Sequence, residues 1–175
     1  MAKTIEVNRA PVLTLWGAVV AERLGFARDE ALTLGRAVAG LNAYSKGVRL
    51  GLFTPSAPKN VKERTKGLKH GEVLRVDLLG RAVPVTATAG GLRALSKDEP
   101  ISPESVTRYL DGKFGHALSD ARAAMERLAR SLPPERLAGE AFHLYERFRP
   151  DVPAGVKGWG AKGTLDIGRI LDLAK

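Results

Sequence analysis

The sequence contains no cysteine, and this absence excludes several kinds of chemistry at once. Without cysteine the chain has no disulfide bond, no thiolate ligand for zinc and no cysteine nucleophile. It also lacks a run of the roughly 18 apolar residues that a membrane-spanning helix needs. The N-terminus has no apolar core of the kind that signal peptides contain. We therefore expect a cytoplasmic protein with no membrane partner.

Motifs that mark common enzyme classes are also missing. The sequence has no Gly-x-Ser-x-Gly, no phosphate-binding glycine–lysine loop and no Gly-x-Gly-x-x-Gly between a strand and a helix. Glu140 and His143 have the Glu-x-x-His spacing of di-iron helix bundles, but no second copy of that motif accompanies them. We expect no metal and no cofactor. The sequence therefore favours a protein that is not an enzyme. The alternative is an enzyme whose active site is assembled from residues distant in sequence.

Positive charge is what the chain has in excess. Its 175 residues include 28 lysines and arginines against 19 aspartates and glutamates, which gives a net charge of +9 and a pI near 10.1. Two thirds of this excess lies in residues 46–69, the basic segment, where Glu63 is the only acidic residue. Such a local cluster of cations is typical of contact with nucleic-acid phosphates. Its basic residues are Lys46, Arg49, Lys59, Lys62, Arg64, Lys66 and Lys69.

Hydrophobic spacing predicts an α+β fold that is mainly α, as one compact domain of residues 1–175. An N-terminal helical pair (11–45) leads to the basic segment and then to an antiparallel hairpin or three-stranded meander at about residues 72–95. Pro84 within it marks an edge position or a bulge. C-terminal helices occupy residues 102–175. Helices are predicted at residues 11–24, 28–45, 102–111, 118–132, 135–148 and 167–173.

Residues 20–26 resemble the first helix and turn of a helix-turn-helix. Ala21 supplies the small residue, and Gly25, four positions later, suits the left-handed backbone of the turn. Asp29 and Glu30 follow in the first turn of the next helix, where their carboxylates would be repelled by phosphates. A packed helical hairpin is therefore the favoured interpretation, and a DNA-reading pair is the alternative.

A glycine-rich stretch, residues 152–163, places Trp159 between Lys157 and Lys162. Burial of the indole would anchor this loop against the helices, because tryptophan covers a large apolar area. Alternatively, the ring stacks on a base while the two lysines contact phosphates. The anchor is favoured, and the two roles are compatible.

These patterns predict a non-catalytic nucleic-acid-binding protein, a regulator or accessory factor that binds DNA in preference to RNA. The predicted binding residues are the basic residues of the basic segment, together with Lys157, Trp159 and Lys162. A protein-interaction or structural module that assembles through apolar helices is the alternative. Assembly of the chain as a homodimer is also compatible with the sequence.

Overall fold

The structure, a computed structural model, describes residues 4–44, 73–96, 99–152 and 162–175. The predicted fold class is confirmed, because helices dominate and the strands form two small antiparallel sheets. The helices are α1 (Arg9–Arg23), α2 (Arg28–Tyr44), α3 (Pro103–Phe114), α4 (Leu118–Arg130), α5 (Pro134–Phe148) and α6 (Ile167–Leu173). The strands are β1 (Thr4–Asn8), β2 (Leu74–Leu78), β3 (Arg81–Thr88), β4 (Gly91–Ser96), β5 (Glu99–Pro100) and β6 (Lys162–Asp166).

Local signals account for several of these boundaries. Ser102 begins α3 as its N-cap, and its hydroxyl oxygen accepts a hydrogen bond from the Ser105 N–H at 3.3 Å. Pro103 occupies the first helical position, where its missing N–H removes no helical hydrogen bond. Gly25, just past the end of α1, has a φ of +109°. This conformation suits glycine and allows the sharp turn into α2.

The predicted meander is present as the sheet β2-β3-β4, which β5 extends at one edge. Leu79 and Gly80 form the turn between β2 and β3 with φ angles of +52° and +76°. Two residues of positive φ match the twist of a two-residue hairpin. Leu79 tolerates this conformation in a buried position. Pro84 lies within the internal strand β3 opposite Arg75 of β2, one residue before Val85, where the pairing of β3 with β4 begins.

A second sheet, the ribbon formed by β1 and β6, is absent from the sequence prediction. Its register runs from Thr4 opposite Asp166 to Asn8 opposite Lys162. Val7 and Leu165, one from each strand, are buried. The strands are short and come from opposite ends of the chain, so neither has a local hairpin signal. Their pairing joins the N-terminal residues to the segment before α6.

Helix α1 lies at the centre of the hydrophobic core. Every residue from Pro11 to Ala21 is buried. The cause is that α2, α4, α5 and β1 all pack around this helix, and a helix buried on all sides is apolar all round. The Trp16 indole N–H donates to the Ala141 carbonyl oxygen at 2.9 Å, and its ring meets Phe148 edge-on at 5.3 Å between centroids. Trp16 therefore ties α1 to α5.

Helices α1 and α2 touch backbone to backbone at two glycines. A Cβ atom placed on Gly17 would lie 2.9 Å from the Gly35 Cα. A Cβ on Gly35 would lie 2.2 Å from the Thr14 carbonyl oxygen and 2.7 Å from the Ala18 nitrogen. Only backbone atoms stand in the way, so no side chain can move aside. This crossing sets the distance between the two helices.

We expect Gly35→Ala to destabilise the protein by about 3 kcal/mol, since the new methyl group must push two helices apart. Gly40→Ala is the matched control in the same helix, because a Cβ at Gly40 meets nothing within 4 Å. This control should raise the free energy of unfolding by about 0.5–1 kcal/mol through helix propensity. Urea denaturation of both variants measures the difference. Equal midpoints for the two variants would contradict the close crossing.

Candidate functional site

Most of the residues predicted to bind nucleic acid lie outside the described part of the chain. This holds for Lys46, Arg49, Lys59, Lys62, Arg64, Lys66 and Lys69, and for Lys157 and Trp159. Lys162 belongs to β6, where its backbone stands opposite Asn8 in the ribbon. Chain connectivity attaches the basic segment to the end of α2 on one side and to the start of β2 on the other.

The described residues carry a nearly balanced charge. They include 18 lysines and arginines against 16 aspartates and glutamates, although the whole chain has a net charge of +9. Several of these charges pair with one another: Arg122 with Glu22 and Glu126, and Arg136 with Glu140. The folded scaffold therefore accounts for little of the positive excess.

The turn between α1 and α2 contains Gly25 at a φ of +109°, a conformation that also ends ordinary helices. After Gly25, the Phe26 N–H donates to the Ala21 carbonyl oxygen at 3.0 Å. Helix α2, which would be the reading helix, packs against α1, α3, β3 and β4. Its residues 31–35 and 37–39 are buried, and only its first two residues and Gly40 are exposed among those whose side chains are described. Most of α2 therefore serves the core.

Two side chains in the first turns of α2 hold the edge of β4. The Glu30 carboxylate accepts from the Ala27 N–H at 3.0 Å and from the Leu92 N–H at 3.1 Å. The Thr33 hydroxyl donates to the Glu30 carbonyl oxygen at 2.9 Å and accepts from the buried Ala94 N–H at 3.0 Å. The backbone N–H groups of Leu92 and Ala94 in β4 are thus hydrogen-bonded to side chains of α2. The acidic residue noted in the sequence has a structural role here.

Beside this junction lies a cleft of about 800 Å³ between α2, the β4–β5 edge and α3. Its volume falls within the range of about 300–1,000 Å³ typical of small-molecule sites. The wall combines apolar side chains, three serine hydroxyls, one tyrosine phenol, one arginine and one carboxylate. The residues that line it are Arg36, Ala37, Gly40, Leu41, Pro84, Leu95, Ser96, Glu99, Pro100, Ile101, Ser102, Ser105, Val106 and Tyr109.

Arg36 and Tyr109 form the polar centre of this cleft. The Arg36 guanidinium carbon lies 4.4 Å from the centre of the Tyr109 ring, within the range of a cation–π contact. Burial raises the pKa of the Tyr109 phenol, and the positive charge of Arg36 opposes that shift. The phenol therefore keeps its proton at neutral pH and can donate a hydrogen bond.

The hydroxyl groups at the start of α3 are already engaged. Ser102 donates to the Glu104 carboxylate at 3.0 Å, and Ser105 donates to the Ser102 carbonyl oxygen at 2.8 Å. The backbone N–H of Glu104 lowers the pKa of its own carboxyl, with Ser102 contributing next. Ser102 and Ser105 thus donate within the protein, and the other side-chain donors that line the cleft are on Arg36, Tyr109 and Ser96.

Sequence reasoning missed this cleft. Arg36 stands alone among apolar residues of α2, a pattern that indicates a polar position but not what it faces. Tyr109 sits between Val106 and Leu110, which are buried, so the spacing placed it at the margin of an apolar face. No sequence signal connects two residues that are 73 positions apart.

The described histidines and acids do not form a metal centre. His143 is exposed on α5, with Nδ1 4.0 Å from the Glu146 carboxylate. Within residues 4–44, 73–96, 99–152 and 162–175, no three histidine, aspartate or glutamate side chains converge as metal ligands. None of the helices described in those ranges has the length and apolar character needed to cross a bilayer.

The chain matches no protein-family model, no curated protein and no solved structure. Its charge distribution and its cleft are thus the features from which a function can be proposed.

We expect Thr33→Val to cost about 1–3 kcal/mol, because it leaves the buried Ala94 N–H without its acceptor. Thr107→Val is the control, since its hydroxyl bonds only the Pro103 carbonyl oxygen on the surface of α3. That substitution should change the free energy of unfolding by less than about 0.5 kcal/mol. Urea denaturation compares the two, and amide hydrogen exchange at Ala94 should accelerate only in Thr33→Val. Similar stability losses in both variants would refute the role of Thr33.

Proposed function

We propose that the protein is a non-catalytic nucleic-acid-binding protein, a regulator or accessory factor that favours DNA over RNA and binds through the basic segment. The observation that carries this proposal is the separation of charge between two parts of the chain. Residues 46–69 carry seven basic residues and one acidic residue, whereas the described scaffold is nearly balanced. A cationic cluster of this kind neutralises phosphates and releases condensed counterions without requiring a particular geometry.

The proposed mode of binding is contact with the nucleic-acid backbone. Phosphate contacts position a protein on nucleic acid but carry no sequence information directly. Lys157, Trp159 and Lys162 are proposed as a second contact, with the indole stacking on a base. The proposal does not depend on α2 as a reading helix, since most of that helix is buried.

A protein-interaction module is the second candidate, and the described helices lend it less support. They bury their apolar faces in one shared core. Among the described residues, Val73 is the only large hydrophobic residue that is mostly exposed, at 58%. Assembly as a homodimer through apolar helices would require an exposed apolar face of several residues.

We expect charge reversal at Lys62, Arg64 and Lys66 together to weaken binding and to flatten its salt dependence. The slope of log affinity against log salt should fall by about 0.9 for each duplex phosphate contact that is lost, or about 2.7 for three. Fluorescence anisotropy with labelled duplex and single-stranded DNA and RNA, at several salt concentrations, measures this slope. The melting temperature should not fall, because the substitutions lie outside the described core.

The matched control reverses three exposed basic residues on the scaffold, Arg28, Arg108 and Arg127. It changes the net charge by the same amount but leaves the basic segment intact, so its salt slope should stay close to that of the unmodified protein. Equal losses in the two triple variants would show that binding follows total charge. Unchanged nucleic-acid binding after charge reversal in the basic segment would show that this segment is not the binding site.

A further inference from the structure

We propose that the cleft between α2, the β4–β5 edge and α3 binds a small organic anion with a flat apolar body, such as an aromatic carboxylate or sulfonate. The described residues that line it lie outside the basic segment, so variants of the two proposed sites can be made independently. The inference rests on one cation, the apolar wall around it and the size of the space.

Arg36 supplies the charge that an anion would meet. It is partly buried, and no carboxylate lies within 4 Å of its guanidinium group among the ion pairs of the described residues. Its guanidinium contacts the face of Tyr109 and hydrogen-bonds the Tyr109 phenol, and because it has five N–H donors, others are left for a ligand. A cation that is partly removed from water attracts an anion more strongly than a solvated one does.

Glu99 is the one carboxylate that lines the same cleft, and it lies on the exposed strand β5. Its charge is screened by water, whereas that of Arg36 is screened less. An anion seated at Arg36 is therefore favoured over a cation at Glu99. Removal of the Glu99 charge should tighten the binding of an anion and weaken the binding of a zwitterion.

The rest of the ligand would lie on apolar surface. Leu41, Leu95, Ile101 and Val106 come from four different elements or loops around the cleft, and Tyr109 adds an aromatic ring. A ring system can rest on these side chains while its acidic group reaches Arg36 and the phenol of Tyr109. Since the Ser102 and Ser105 hydroxyls donate within the protein and Ser96 is uncharged, Arg36 and Tyr109 determine where the acidic group binds.

The test uses two dyes that share the same ring systems. Anilinonaphthalene sulfonate carries the anion, and phenylnaphthylamine is its neutral counterpart. Fluorescence titration of the full chain should give saturable binding of the sulfonate dye with one site per protein. Arg36→Met should lower the affinity for the sulfonate dye about tenfold, as expected for the loss of a charge-assisted hydrogen bond. The same variant should change the affinity for the neutral dye by less than about twofold, since the methionine side chain preserves the apolar contact.

Three further variants make the result specific to the cleft. Arg108→Met removes an exposed charge from α3 and should not change the affinity for either dye. Glu99→Gln should raise the affinity for the sulfonate dye. The triple reversal of Lys62, Arg64 and Lys66 should leave that affinity unchanged. Far-UV circular dichroism and urea midpoints establish that each variant is folded. If Arg36→Met does not fold, Tyr109→Phe takes its place and should also weaken the sulfonate dye selectively.

The proposal is overturned if the sulfonate dye does not saturate at one site, or if Arg36→Met and Arg108→Met weaken it equally. Equal losses for both dyes would show that Arg36 shapes the cleft without binding the anion, which also contradicts it. Weaker dye binding only in the triple reversal would place the dye on the basic segment. If nucleic acid still binds but the dye does not bind as expected, the cleft proposal is wrong and the proposed nucleic-acid-binding function is unaffected.

Discussion

The contact between α1 and α2 at Gly17 and Gly35 is the constraint on which the rest of the structure depends. Backbone atoms touch there, so the two helices have one fixed separation. The N-terminal half of α1 then lies in the middle of the core, where Trp16 links it to α5. Because the interior is densely packed, a change of separation at this crossing would disturb every helix that packs on α1.

Helix α2 transmits that fixed position to the sheet. Its other side meets β4, where Glu30 and Thr33 accept the N–H groups of Leu92 and Ala94. These hydrogen bonds fix β4 against the first half of α2, and α3 also packs against α2. The cleft is the space that these three elements leave between them. Arg36 faces it from the same helix, one turn after Thr33, so core packing and the candidate ligand site share one element.

The positive charge of the chain is divided unevenly between a nearly balanced, packed scaffold and a strongly cationic segment. A net charge far from zero destabilises a compact state through self-repulsion. Concentrating the excess in 24 consecutive residues lets the scaffold pair many of its own charges, as Arg122 does with Glu22. The proposed ligand cleft is lined by described scaffold residues, whereas the proposed nucleic-acid contact belongs to the basic segment. The basic segment connects α2 to β2, the first strand of the sheet whose strands β3 and β4 pack against α2.

The sequence by itself determined the fold class, the six helices to within a few residues, the meander and the local distribution of charge. These features depend on short-range patterns, such as Ser102–Pro103 at a helix start or Leu79–Gly80 at a hairpin turn. Only the tertiary structure decided the β1–β6 ribbon, the burial of α1 on all sides and the cleft around Arg36 and Tyr109. Each of these brings together residues far apart in the chain, and their contact depends on how elements pack. The Gly35 contact shows the difference: the sequence indicates room for a neighbour, and only packing shows that the neighbour is the backbone of α1.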